Sequence, residues 1–141
     1  MTTLEIVVHG IPAPQGSKRH VGGGRMIESS KAVGPWREAV RAETQRQHGG
    51  DPLDGPLHVS LTFALPRPKG HFGAHGRLRP SAPRWPAVKP DLDKLVRSTL
   101  DGVVAGGGMV EDSRVVSLNV TKAYAGAGVV SGVVIRVDVV A

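Results

Sequence analysis

The chain contains no cysteine. Disulfides, zinc–thiolate centres and cysteine nucleophiles are thereby excluded. Six histidines are present, but none falls in an HExxH or HxH spacing. His71 and His75 lie four apart among Gly70, Gly73 and Gly76, which oppose the helix that would align them on a metal. There is no Gly-x-Ser-x-Gly elbow, so serine hydrolase chemistry lacks its usual frame. No apolar run approaches the roughly 18 residues of a membrane span, and the opening Met-Thr-Thr-Leu-Glu does not read as a secretory signal. These absences lead us to expect a soluble, cytoplasmic protein with no membrane partner and no small-molecule substrate.

The most telling absence is local. Residues 66–90 contain six basic residues (Arg67, Lys69, Arg77, Arg79, Arg84 and Lys89) and no acid. The net charge is +6, and outside this segment twelve basic residues balance twelve acids. The entire excess is therefore focused in one place. Phosphate-backbone contact calls for such focusing, while a solubilising loop is the plainer alternative.

A length of 141 residues suits a single domain, 1–141, with its own core. Residues 4–9 are rich in β-branched side chains and read as a strand. Residues 10–30 read as a glycine- and lysine-containing loop. Lys18, Arg19 and Arg25 make it a second candidate DNA contact, and its Gly22-Gly23-Gly24 lacks the residues of a phosphate-binding loop. Residues 31–48 read as a helix, with Gly34-Pro35 as a reason to delay its start to about Pro35, with Trp36, Val40 and Thr44 at helical spacing and Trp36 as a core or edge anchor. Strict alternation over 57–65 marks the clearest strand. Six prolines and three glycines rule out a helix or inner strand over 66–90, and a loop that long is usually functional or disordered. A second helix is expected over 93–104, then strands over 113–122 and 129–140 joined by a glycine-rich turn. The order β-α-β-α-β-β describes an α+β domain, a mixed sheet with two main helices.

The chemistry concentrates behind the basic segment. Asp91 and Asp93 stand at the helix entrance, two apart, so they cannot share a face within it. Helix capping and the helix dipole account for both without any function. Asp112, paired with Glu111, follows a glycine-rich connection and precedes a strand. A hairpin-like return from the helix would bring it beside Asp91. Three converging carboxylates repel strongly unless a cation is present, and Mg²⁺ requires few protein ligands, usually carboxylates. Capping and metal binding both remain open on spacing alone. Lys94, Arg97, Ser98 and Asp101 share the face opposite the helix's apolar side, either solvated or available to a phosphate. Lys94 can donate a proton, whereas Arg97 holds its own too tightly. Of the aromatics in the basic loop, Trp85 is expected to pin the loop to the sheet. Phe72 could pin the loop or stack on an unpaired base.

The run Lys-Pro-Asp-Leu-Asp-Lys-Leu-Val-Arg-Ser-Thr-Leu-Asp-Gly over 89–102, followed by Val-Glu-Asp-Ser-Arg-Val-Val over 110–116, resembles the RusA family of Holliday junction resolvases. The match is close over 89–122 and looser over the opening strand, the Pro12-x-Pro14 loop and the Trp36 helix. The resemblance implies a RusA-like fold and a Mg²⁺ site at Asp91, Asp93 and Asp112, with Mn²⁺ as a possible substitute. It also implies branched DNA as the partner and a homodimer making two symmetric cuts. Such proteins are common in bacteria and prophages. The family's catalytic lysine falls at Arg97, and Lys94 stands where the family often has asparagine.

Together these readings point to a Mg²⁺-dependent crossover junction endodeoxyribonuclease of DNA recombination and repair. One rival is a non-catalytic nucleic-acid-binding module whose acids only cap. A PD-(D/E)xK nuclease lacks its Asp/Glu-x-Lys strand here, and a sugar-nucleotide transferase lacks its nucleotide-binding half.

Overall fold

In a computed structural model, residues 3–16, 18–20, 26–28, 31–126 and 129–140 are described, without the side chains of 18–20 and 26–28. The elements are β1 (Thr3–His9), β2 (Lys18–His20), β3 (Met26–Glu28), α1 (Val33–Gln47), β4 (Leu57–Leu65), α2 (Leu92–Ala105), β5 (Val115–Tyr124) and β6 (Gly132–Val139). Four strands form one mixed sheet in the order β1-β6-β4-β5, and β2 and β3 pair separately. The expected α+β class and the β-α-β-α-β-β order of the main elements are both present.

Alternation decides which side of β4 faces the helices. Leu57, Val59, Leu61, Phe63 and Leu65 are all buried, and they meet Ile6, Val8, Ile135 and Val137 from neighbouring strands in one core. From the helices come Trp36, Val40, Leu95 and Val103, all buried. Trp36 is the anchor its spacing predicts, and its indole N–H donates to Thr99 at 3.2 Å. Pro35 falls inside the first turn of α1, where a missing N–H costs nothing, so the helix begins at Val33 rather than being delayed.

Two features were not legible beforehand. The 10–30 segment contains the β2–β3 hairpin, whose three-residue strands are too short to register as alternation. In addition, β5 and β6 are consecutive yet not adjacent, because β4 lies between them, antiparallel to β6 and parallel to β5. Parallel strands need a crossover, and α2 supplies it.

The two helices approach closely where side chains are smallest. A Cβ on Gly102 would lie 2.6 Å from Cβ of Val40, and one on Gly106 would lie 2.5 Å from the Arg41 carbonyl oxygen. Gly102→Val is therefore expected to lower unfolding free energy by about 1–3 kcal/mol through overpacking. Valine's better helix propensity, a few tenths of a kcal/mol, does not offset that. Urea denaturation checks the sign, and an unchanged midpoint would mean the helices are not in contact there.

Candidate nuclease site

The chain direction sets the site. Strands β1, β4 and β5 run the same way, and both helices run back against them. One end of the sheet therefore collects the segment after β1, the 66–90 loop and the start of α2. The other end collects the turn before β4, the end of α2 and the short 3-10 turn Asp112–Arg114.

At the first end, Asp91 occupies the N-cap position of α2 with extended backbone, yet its side chain makes no capping hydrogen bond. Its carboxylate instead faces Lys94 at 3.5 Å. Asp93 sits exposed in the first turn with no hydrogen-bond or ion-pair partner among the described residues. A cleft of about 270 Å³ opens here, lined by Pro14, Lys89, Pro90, Asp91 and Lys94. It joins a carboxylate to two ammonium groups, the pairing that a metal-bridged phosphate requires.

The helix face bearing Lys94, Arg97, Ser98 and Asp101 is not simply solvated. The segment after β1 lies across it. Ser98 is fully buried and donates to the Ala13 carbonyl at 2.6 Å. The Gln15 backbone N–H donates to the Lys94 carbonyl at 3.0 Å. The Gln15 side-chain amide donates to Asp101 at 2.7 Å and accepts from Arg37 at 2.9 Å. Gly16 follows with φ +113°, and a Cβ there would lie 2.9 Å from an Arg97 guanidinium nitrogen. Only glycine suits that backbone and that proximity. Gly16 thus lies beside Lys94 and Arg97, two residues before Lys18 opens β2. Arg25 lies outside the described residues.

The basic segment is built rather than loose. Arg67 stacks on the Tyr124 ring at 4.4 Å and donates to the Pro83 carbonyl at 2.7 Å, while His71 meets the same ring edge-on. Phe72 and Leu78 pair across a small hairpin closed by Gly73 and Arg77, with His75 and Gly76 both at positive φ. Arg79 donates to the Phe72 carbonyl. Arg67 and Arg79 are thus partly committed to the loop's own shape. The side chains of Lys69, Arg77 and Lys89 are exposed, with no hydrogen-bond or ion-pair partner among the described residues. Trp85 does not pin the loop. It is 53 % exposed with Arg84 over its ring, and Pro86 is the buried residue beside it. Tyr124 does the anchoring instead, with Lys122, which donates to the carbonyls of Val88 at 2.7 Å and Pro90 at 2.8 Å.

Asp112 is at the other end. The hairpin-like return expected to bring it beside Asp91 does not occur, because β5 runs parallel to β4 and must start where β4 starts. α2 alone separates the two by about 21 Å at 1.5 Å per residue. Among the described residues, no three acidic or histidine side chains of one chain converge on a metal position. Glu111 is engaged by Arg114 at 3.1 Å, and Arg114 also bonds Asp54 at 2.8 Å. The Gly55 N–H and then Arg114 hold the Asp54 carboxyl below its ordinary range. Asp112 is left exposed, with no such partner among the described residues.

The sequence model of the family Endodeoxyribonuclease RusA matches residues 9–138. The chain belongs to that family. A comparison with curated proteins returned no match. Among the described residues, no helix of this RusA-family chain is long and apolar enough to cross a membrane.

The segment laid over α2 generates a direct test. Ser98→Ala leaves the buried Ala13 carbonyl without its donor and is expected to cost about 1–3 kcal/mol of stability. An unfolding midpoint within error of wild type would show that the segment is held by other contacts.

Proposed function

We propose that this chain is a Mg²⁺-dependent endonuclease that resolves four-way DNA junctions as a homodimer. Each metal site would take Asp91 and Asp93 from one subunit and Asp112 from the other. The observation that carries the reading is the state of the three carboxylates: none caps a helix, and Asp112 stands a helix length from the others. Capping, the functionless explanation, accounts for no side-chain hydrogen bond at Asp91.

A second copy resolves the separation. β5 is an edge strand whose outer side pairs with nothing among the described residues, and Val116 and Leu118 on it are 66 % and 45 % exposed. An exposed edge with apolar side chains is a template for another strand. Antiparallel β5–β5 pairing about a two-fold axis sets the start of one strand against the end of its mate. Asp112 of the partner subunit then approaches Lys122, Pro90 and Asp91. The donor set is all carboxylate, which suits Mg²⁺ and accepts Mn²⁺.

The metal, when bound, polarises the scissile phosphate and lowers the pKa of an attacking water. Lys94, 3.5 Å from Asp91, would neutralise charge on the phosphate and protonate the leaving oxygen. Arg97 adds positive charge but no proton. Lys69, Arg77, Arg84 and Lys89, with Lys18 and Arg19, hold the backbone of branched DNA, and exposed Phe72 offers a face to an unpaired base.

Asp91→Asn is expected to abolish cleavage of a synthetic four-way junction while preserving or strengthening its binding, since a repulsive charge is lost and the cations stay. Binding that vanishes together with cleavage would contradict that division of labour. Mixing separately inactive Asp91→Asn and Asp112→Asn subunits tests the shared site. Mixed dimers keep one intact site, so nicking should return to about a quarter of wild type after exchange. A mixture that stays inactive, although mass spectrometry shows mixed dimers, rejects the shared site.

A further inference from the structure

Lys122 is unusually placed for a lysine. In the β4–β5 register it lies opposite Phe63, on the helix-facing side that Val120 and Tyr124 share. A lysine on this side is half-buried, and no ion pair with an acid is present among the described residues. Its ammonium reaches instead to two backbone carbonyls, Val88 at 2.7 Å and Pro90 at 2.8 Å. Those residues close the basic segment, and the next residue is Asp91.

Building on the nuclease reading above, we infer that Lys122 is a positioning residue for Asp91. The downstream side of Asp91 is fixed by its helix, where its carbonyl accepts from the Leu95 N–H at 3.1 Å. The upstream side leads into a proline- and glycine-rich segment with no long ladder to hold it. Lys122 supplies the missing restraint from β5, a strand of the four-stranded sheet. An ammonium suits the task because it offers several donors from one point and forms charge-assisted bonds to carbonyls. A neutral side chain of similar length has no equivalent. The bond couples the end of β5 to the carboxylate, so Asp91 keeps its direction when the cationic loop engages DNA. Residues that orient a ligand are commonly worth about 10–100-fold in metal affinity or activity.

Lys122→Met keeps the aliphatic stem and removes the donors, and Lys122→Arg keeps donors of similar reach. In the full-length protein, Lys122→Met is expected to raise amide exchange over residues 88–92 while leaving β4 and β6 protected. Mn²⁺ titration followed by paramagnetic resonance should show about 10-fold weaker binding, and the Mg²⁺ concentration for half-maximal cleavage should rise as much. Junction affinity in EDTA should stay within about two-fold, since no phosphate contact is lost. Lys122→Arg should restore most of the metal affinity. Should Lys122→Met fail to fold, Lys122→Leu removes the same donors from a shorter apolar side chain. Wild-type exchange and wild-type Mn²⁺ affinity in the Met or Leu variant would overturn the inference by itself. A wild-type protein that binds no Mn²⁺ and cleaves no DNA would overturn the nuclease reading, and this one with it.

Discussion

The parallel pairing of β4 and β5 is the constraint on which the rest depends. Two parallel neighbours cannot be joined by a tight turn, so the chain must return across the sheet before the second strand begins. Here the return is α2, packed against α1 through Gly102 and Gly106. It follows that whatever opens α2 and whatever opens β5 stand at opposite ends of the sheet. Asp91 and Asp93 are at one end and Asp112 at the other. A metal site that needs all three cannot close within one chain of this topology, and a two-fold axis is the simplest operation that closes it. Oligomerisation would then be a condition of the chemistry, not an addition to it.

Much of the fold was legible because its signals are periodic. The alternation of β4 and the spacing of Trp36, Val40 and Thr44 each report a face that ends up buried. The acids of the candidate site were legible by their spacing, two at a helix entrance and one before a strand. Their spatial relation was not, since nothing in a linear pattern says whether the next strand pairs parallel or antiparallel. The β2–β3 hairpin escaped because three residues carry too little periodicity to be seen. Trp85 and Tyr124 show a different limit. Both are aromatics near breakers, and only the packing of Arg67 and His71 on Tyr124 reveals which one anchors the loop.

The 66–90 segment shows how a chain can hold many like charges together without acids nearby. Arg67 gives its charge to an aromatic face and a carbonyl, Arg79 to a second carbonyl and Arg84 to the Trp85 ring. Each of these contacts uses dipoles or quadrupoles rather than carboxylates. The loop therefore acquires a shape while its net charge stays positive. Ion pairs would have shaped it equally well but cancelled the field that attracts a polyanion.

The same economy applies to the cations around Asp91. Three of them, two from α2 and one from β5, make different contacts. Lys94 is on α2 one turn from Asp91 and pairs with it directly. Arg97, a turn further, lies against Gly16, at the root of the β2–β3 hairpin. Lys122 comes from β5, and its ammonium bonds two backbone carbonyls. A group that bonds two carbonyls is poorly free to meet a phosphate, and a guanidinium does not give up a proton at neutral pH. On the proposed nuclease reading, proton donation would fall to Lys94, electrostatic support to Arg97 and alignment to Lys122. The role that the resemblance gives to one lysine would then be divided among three side chains.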